Sequence, residues 1–380
     1  MFRENQMGVY FHWPFCLSKC PYCDFNVHVR ERSFDQTLWL DAYVRALEYY
    51  AELIPDKQVV SIFFGGGTPS LMDAETVRTL IDRVQSLWPV VNDLEVTLEA
   101  NPTSVEINKF QAFREAGVNR VSLGVQALND SDLRFLGRQH SVEEAFQAIR
   151  IAAEVFERYS FDLIYARPEQ TLEGWRDELM RALEYARGHL SLYQLTIERR
   201  TPFYLQYSRG EFAMPDDVMS ADFYHLTQDI MEEAGLPAYE VSNYAKEGQE
   251  CRHNLIYWHM ADYIGIGAGA HGRFTGADGQ KYAARDHAAP DIWRERVQAS
   301  GHGAHEFEVL SEQDIFLERF MTGLRLRDGV LVDRSQLDTH NLEQACQQGW
   351  CSYEDERLIL SREGMLRLNA LIPFLLAERP

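Results

Sequence analysis

The chain has 380 residues, a formal net charge of −21, 46% apolar residues and 12% aromatic residues. That apolar share builds a packed core and excludes a disordered or fibrous chain, and the length suits one large domain with a smaller one. The acidic surplus repels a phosphate backbone and excludes nucleic acid as the main partner.

The start, Met1 to Gln6, lacks the apolar segment of a secretion signal, and no apolar run is long enough to read as a membrane span. A first strand is expected at Val9–Trp13, followed at once by Cys16, Cys20 and Cys23 in the spacing C-x3-C-x2-C. Only three other cysteines occur, so a disulfide framework is not expected; metal binding in a reducing, cytoplasmic compartment is. Three thiolates with no local fourth suit three irons of a 4Fe–4S cluster and leave one iron open to a small molecule. Zinc, with His12 or His28 as a fourth ligand, is the alternative metal at this point.

Further β-rich runs follow at Val59–Phe64, Leu94–Leu98, Arg120–Val125, Phe161–Tyr165 and Leu190–Ile197. Between them, Leu38–Leu53, Ala74–Leu87 and Val142–Phe156 carry apolar residues at helical spacing. Such alternation predicts a parallel sheet, open or curled into a partial barrel. Polar and glycine residues gather at the strand ends: the cysteines follow the first, Gly65-Gly66-Gly67-Thr68-Pro69 the second and Glu99-Ala100-Asn101-Pro102 the third, Gln126 ends the fourth, Asp162 lies within the fifth and Glu198 follows the sixth. Active sites of parallel α/β folds lie at that edge. The glycine triplet matches no nucleotide-binding fingerprint; its expected use is close approach, with exposed peptide groups bonding a ligand's charged ends. Acid and amide side chains suit ribose hydroxyls and an amino group, and Arg138 suits a carboxylate.

Beyond residue 200 the rhythm changes. A helix is expected at Phe223–Ala234, strands at Tyr239–Tyr244 and Tyr263–Ile266, and helices at Asp314–Leu324 and Arg334–Gln348. Leu358–Leu360 and Leu366–Leu376 close the chain. The expected division is a barrel over 1–235, a β-rich extension over 236–300 and a small, mainly α, winged-helix-like domain over 301–380.

The sequence resembles the radical S-adenosylmethionine (SAM) superfamily, in which C-x3-C-x2-C holds the cluster. It is more closely similar to the oxygen-independent coproporphyrinogen III oxidase (HemN) group, and within it to the HemW heme chaperones. The likeness is carried by Tyr10 with Cys16–Phe25, Phe63–Ser70, Glu99–Pro102, Arg120–Gln126, Leu136–His140, Phe161–Tyr165 and Phe320–Arg325. It implies an α/β fold, a partial (β/α)6 TIM-like barrel of the radical SAM type. It also implies a cluster on Cys16, Cys20 and Cys23, with SAM against Tyr10, Tyr22, Gly66, Gly67, Thr68, Glu99, Gln126, Arg138 and Asp162. The implied partners are heme, acceptor hemoproteins (membrane-bound ones met by peripheral contact among them) and an electron donor such as a flavodoxin or ferredoxin.

Three departures from the oxidases stand out. Phe25 replaces a further cysteine, only fifteen residues precede Cys16, and Tyr165-Ala-Arg-Pro-Glu-Gln-Thr171 replaces Y-G-L-P-G-Q-T. The first two speak against oxidase activity and leave SAM cleavage open; the third predicts an altered backbone near Asp162. His253-Asn254-Leu-Ile-Tyr257-Trp258 matches the H-N-x-x-Y-W stretch of the chaperones. Imidazole is a common axial ligand to heme iron and the aromatic pair suits a porphyrin face, so the resemblance implies a heme role for His253, Asn254, Tyr257 and Trp258. A half-buried core histidine is the alternative. Cys346 and Cys351 read as ordinary thiols.

Overall fold

The computed structural model describes residues 2–30 and 35–376. Six strands run parallel in sequence order: β1 (Gln6–Trp13), β2 (Gln58–Gly66), β3 (Val90–Ala100), β4 (Arg120–Gln126), β5 (Arg158–Tyr165) and β6 (His189–Gln194). In β2 every residue from Val59 to Gly65 is buried, as expected of a parallel strand covered on both faces. The covering helices are amphipathic. In α1 (Thr37–Leu53) the buried residues Trp39, Tyr43, Leu47 and Tyr50 form one face at helical spacing. Helix α2 (Ala74–Leu87) buries Val77, Leu80, Ile81 and Val84. Helix α3 (Val142–Val155) starts on a capping box between Ser141 and Glu144, and α4 (Leu172–Leu183) lies between β5 and β6.

The sheet does not stop at six strands. β7 (Asn243–Ala245) joins β6 antiparallel, and β8 (Asp262–Ile266) joins the free side of β1 in parallel. β9 (His271–Thr275), β10 (Lys281–Arg285) and β11 (Glu308–Val309) extend that side antiparallel. The result is an open eleven-stranded sheet with β11 and β7 at its edges, a partial barrel rather than a closed one.

Several expected elements differ. Tyr239–Tyr244 is strand only from Asn243 onward; Tyr239 instead turns its hydroxyl to His189 and to the Cys251 amide. The H-N-x-x-Y-W stretch, expected in a β-rich region, is a helix, α6 (Arg252–Trp258), after the longer α5 (Asp217–Glu233). Arg334–Gln348 breaks into a turn at Arg334–Gln336 and a helix at Thr339–Gln347, because Asp338 caps the Asn341 amide and starts the helix afresh.

A second apolar core lies between Phe316 and Leu375, with Phe320, Leu342, Leu358 and Leu371 at its centre. Its small antiparallel sheet consists of Val330–Leu331, Cys351–Glu354 and Arg357–Leu360. Ion pairs tie it to the barrel: Arg273 to Glu318, and Arg362 to Asp229 and Glu232 of α5.

Candidate cofactor site

β1 delivers the chain to the carboxyl edge of the sheet, where Phe15–Cys16 pairs with His28–Val29 and closes a loop. The three cysteines sit on it. The loop is fastened from several sides: the Asn26 side chain donates to the Ala268 and Ala288 carbonyls at 2.8 Å each, and the Phe203 amide donates to the Pro21 carbonyl at 3.0 Å. A Cβ at Gly137 would lie 2.5 Å from Pro21 Cδ, so the chain passes there only without a side chain.

Cys16, Cys20 and Cys23 line a cavity of about 380 Å³ with Tyr22, Gly66, Gly67, Thr68, Glu99, Gln126, Arg138 and Asp162, a volume usual for small-molecule sites. Residues from five strand ends thus converge on the thiols. Tyr10 is not part of the lining. Its hydroxyl pairs with His12 Nδ1 at 3.0 Å and its ring lies beneath Gly65. Asn101, Ser122 and Tyr193 also line the cavity. Asn101 and Ser122 lie inside the motifs Glu99–Pro102 and Arg120–Gln126 but were not singled out as site residues, and Tyr193 sits in a strand run with no motif of its own.

The glycine turn works differently from expectation. Gly66 has φ +110°, and a Cβ there would meet the His12 ring at 2.6 Å. A Cβ on Gly67 would lie 2.7 and 2.8 Å from the Phe15 and Trp13 carbonyl oxygens. The close approach is therefore to the protein's own first strand. The Gly67 amide donates to Trp13 (2.7 Å), the Thr68 amide to Phe15 (2.9 Å) and the Gly66 amide to Glu99 Oε2 (3.2 Å). These N–H groups are engaged internally, so of the exposed peptide groups expected here the amides are taken, while Gly66 and Gly67 still line the cavity.

Two donors point at thiol sulfurs. Arg138 Nη1 lies 3.3 Å from Cys20 Sγ, and Thr68 Oγ1 donates to Cys16 Sγ at 3.4 Å; the Thr68 bond favours the Cys16 thiolate needed for metal ligation. Burial acts the other way and pushes the Cys16 thiol up to about 11. Arg138 is held by the Gly124 carbonyl at 2.8 Å and by Asn101 Oδ1, while its buried Nε has no hydrogen-bond partner among the described residues. On the floor, burial and then the charge of Asp162 raise Glu99 to about 8. Burial raises Asp162 to about 6 against hydrogen bonds from Ser191 and Ser122. Two carboxyls with raised pKa values and a fixed guanidinium in one lining match a ligand carrying an ammonium, hydroxyls and a carboxylate.

The zinc alternative fares less well. Both ring nitrogens of His12 are engaged, by Tyr10 and by the Asn26 carbonyl at 3.0 Å, and His28 does not line the cavity. Among the described residues, no three His, Cys, Asp or Glu side chains close on a single-ion position. Three cysteines with sulfur-directed donors fit a cluster with an open iron better than a four-ligand ion.

Helix α6 packs against β1, β2 and β8 and contributes no residue to the cavity lining. His253 is 1% exposed. Its Nδ1 pairs with Ser61 Oγ at 2.8 Å and its Nε2 with the Tyr257 hydroxyl at 2.7 Å, while the ring stacks on Phe63. Burial lowers its pKa to about 3. Both nitrogens are paired within the protein, the packing that the core-histidine alternative describes. Asn254 donates to the Tyr239 hydroxyl, Tyr257 meets Tyr263 edge-on, and the Arg325 guanidinium lies over the Trp258 ring.

At the rim beside Asp162 two residues that replace glycines of the family pattern have positive φ. Ala166 and Glu169, where relatives have glycine, still adopt φ +55° and +61°. Between them Arg167 is buried; it donates to the Ile164 carbonyl and pairs with Asp132 and Glu178. That ion-pair network holds the turn in a strained conformation.

An open parallel barrel with a cysteine-bearing loop at its carboxyl-end mouth defines a radical SAM protein, and the Radical SAM superfamily pattern matches residues 10–182. The solved HemN coproporphyrinogen III oxidase from Escherichia coli shares the fold, with a TM-score of 0.80 at 20% identity over 98% of this chain and 90% of that one. The "Heme chaperone HemW" of Escherichia coli (strain K12) is 36% identical over 100% of both chains. A Danio rerio relative, "Radical S-adenosyl methionine domain-containing protein 1, mitochondrial", is 34% identical over 98% of this chain and 87% of its own. The chain belongs to the HemW family of radical SAM proteins.

Proposed function

We propose that this protein is a heme chaperone that binds heme and passes it to acceptor hemoproteins, with a 4Fe–4S cluster on Cys16, Cys20 and Cys23 and SAM beside it. The observation that carries the cofactor half is the cavity itself, whose lining holds three thiols, Arg138, Glu99 and Asp162. In this reading Arg138 orients the SAM carboxylate, while Glu99 and Asp162 meet its ammonium and ribose hydroxyls. When bound, the cluster and SAM supply one-electron chemistry; the protein orients them and limits access of water. The heme half rests on what the HemW relatives' name says of them, and on Phe25. That residue is 59% exposed at the cavity mouth, where the oxidases carry a cysteine. Helix α6 then braces the sheet and does not ligate heme iron. Reduced thiols on the loop suit the cytoplasm, and no helix among the described residues is long and apolar enough to cross a membrane.

The test is anaerobic reconstitution with iron and sulfide, followed by incubation with SAM, reductant and coproporphyrinogen III, and in parallel by a heme titration. Saturable heme binding with coproporphyrinogen III left unchanged is expected. Protoporphyrinogen formed over many turnovers would overturn the chaperone reading in favour of the oxidase.

A further inference from the structure

The C-terminal unit holds a feature unrelated to the cofactor cavity. Cys346, in the last turn of the helix Thr339–Gln347, and Cys351, the first residue of the strand Cys351–Glu354, have their sulfur atoms 3.7 Å apart. The intervening turn is tightly set. Gly349 reverses the chain with φ +71°, its amide donates to the Cys346 carbonyl, and the Trp350 amide donates to the Ala345 carbonyl, both at 3.0 Å. From the other side the Ser361 hydroxyl donates to the Gly349 carbonyl at 2.7 Å. Gly364 presses on this turn so closely that a Cβ there would lie 1.9 Å from the Trp350 oxygen. Both cysteines are free thiols, and neither belongs to the cavity lining.

We propose that Cys346 and Cys351 form a dithiol site that reacts with low-molecular-weight disulfides and closes to an intramolecular disulfide. A disulfide needs its sulfurs at about 2.05 Å, so from 3.7 Å the two sulfur atoms have under about 2 Å to close. The two thiols differ in access. Cys346 is half-buried, whereas Cys351 is 7% exposed and packs in the second core. Burial and the neighbouring Cys346 push the Cys351 thiol up to about 12.

The order of events follows. The Cys346 thiolate attacks one sulfur of the small disulfide RSSR, forming Cys346–S–SR and releasing RS⁻, which takes up the proton that Cys346 lost. Cys351 then loses its proton to a second RS⁻ as it displaces that group from the Cys346 sulfur. Two protein thiols are oxidised, one RSSR is reduced to two RSH, and no other oxidant is needed. The bond ties the end of the helix to the strand edge. Further along the same unit lies Arg362, which pairs with Asp229 and Glu232 of the barrel.

The test uses the reconstituted, cluster-bearing protein treated anaerobically with oxidised glutathione, then alkylated, digested and mapped by mass spectrometry. In the parent, the peptide holding both cysteines is expected to be two hydrogens lighter, closed to alkylation and reopened by dithiothreitol, with cluster absorbance unchanged. Cys351→Ala should trap the glutathione adduct on Cys346, raising its occupancy at least tenfold over the parent; Cys346→Ser should carry no adduct on Cys351. Circular dichroism of each variant confirms folding. Two alkylatable thiols in the treated parent, or a stable adduct on the parent's Cys346, would overturn the proposal.

Discussion

Replacing His253 with alanine separates a structural histidine from a heme ligand. The imidazole satisfies two buried hydroxyls, Ser61 at 2.8 Å and Tyr257 at 2.7 Å, and stacks on Phe63 with centroids 5.0 Å apart. Each buried partner left unsatisfied costs about 1–3 kcal/mol, and the lost packing adds a cavity cost. Water entering an imidazole-sized space offsets part of this, so a loss of about 3 kcal/mol is expected. Denaturant melts of the parent and variant at pH 7 measure it. The same residue gives a pH signature. Its folded pKa, near 3, lies below the unfolded value. The unfolded chain therefore binds the extra proton, and stability present above about pH 6.5 falls as pH drops. Between pH 6.5 and 5.5 the loss approaches about 1 kcal/mol, and it should vanish in the alanine variant. Heme affinity of the folded variant should match the parent. A variant of parental stability that has lost its heme absorbance would refute this reasoning and restore His253 as the ligand.

Three further outcomes follow from the site. Gly67→Ala drives a Cβ to within 2.8 Å of two carbonyl oxygens, so the variant should lose most cluster incorporation, read as visible absorbance per chain after reconstitution; normal incorporation would show the turn to be slack. Ala166→Gly and Glu169→Gly relieve positive φ angles and should each stabilise the protein by about 0.5–1 kcal/mol in denaturant melts; destabilisation would mean that the turn is unstrained. Glu99, raised to about 8 by burial and Asp162, contributes stability that is present below pH 4.5 and lost as pH rises through 8. Without SAM, Glu99→Gln should therefore gain on the parent between pH 5 and 8 by an amount on the order of 2 kcal/mol; parallel pH profiles would contradict that.

The barrel strands and the cysteine loop were legible because their signals are local. β2 is apolar from Val59 to Phe64 apart from Ser61, α1 repeats every three or four residues, and the thiols lie within eight positions of one another. What escaped depended on partners far along the chain. β8 sits against β1 some 250 residues away, so its short apolar run gave no hint of parallel pairing. For His253, an imidazole beside aromatics reads alike in a heme pocket and in a core; its packing on Gly8, Ser61 and Phe63 shows only in the fold. Gly66 and Gly67 of the glycine triplet lie in the cavity lining as expected, yet the Gly66 amide turns to Glu99 and the Gly67 amide to Trp13. Ala166 and Glu169 show the reverse case. The turn glycines are gone, but Arg167 and its two carboxylates keep the backbone in place.

Heme transfer is the most direct test of the central claim. Reconstituted protein loaded with one heme, freed of excess and mixed anaerobically with an apo-hemoprotein, should lose its heme absorbance as the acceptor's spectrum and activity appear. Cys16→Ala, Cys20→Ala and Cys23→Ala variants run beside it report whether the cluster governs the transfer. Heme that stays on the chain, or moves no faster than free heme reaches the acceptor, would contradict the account.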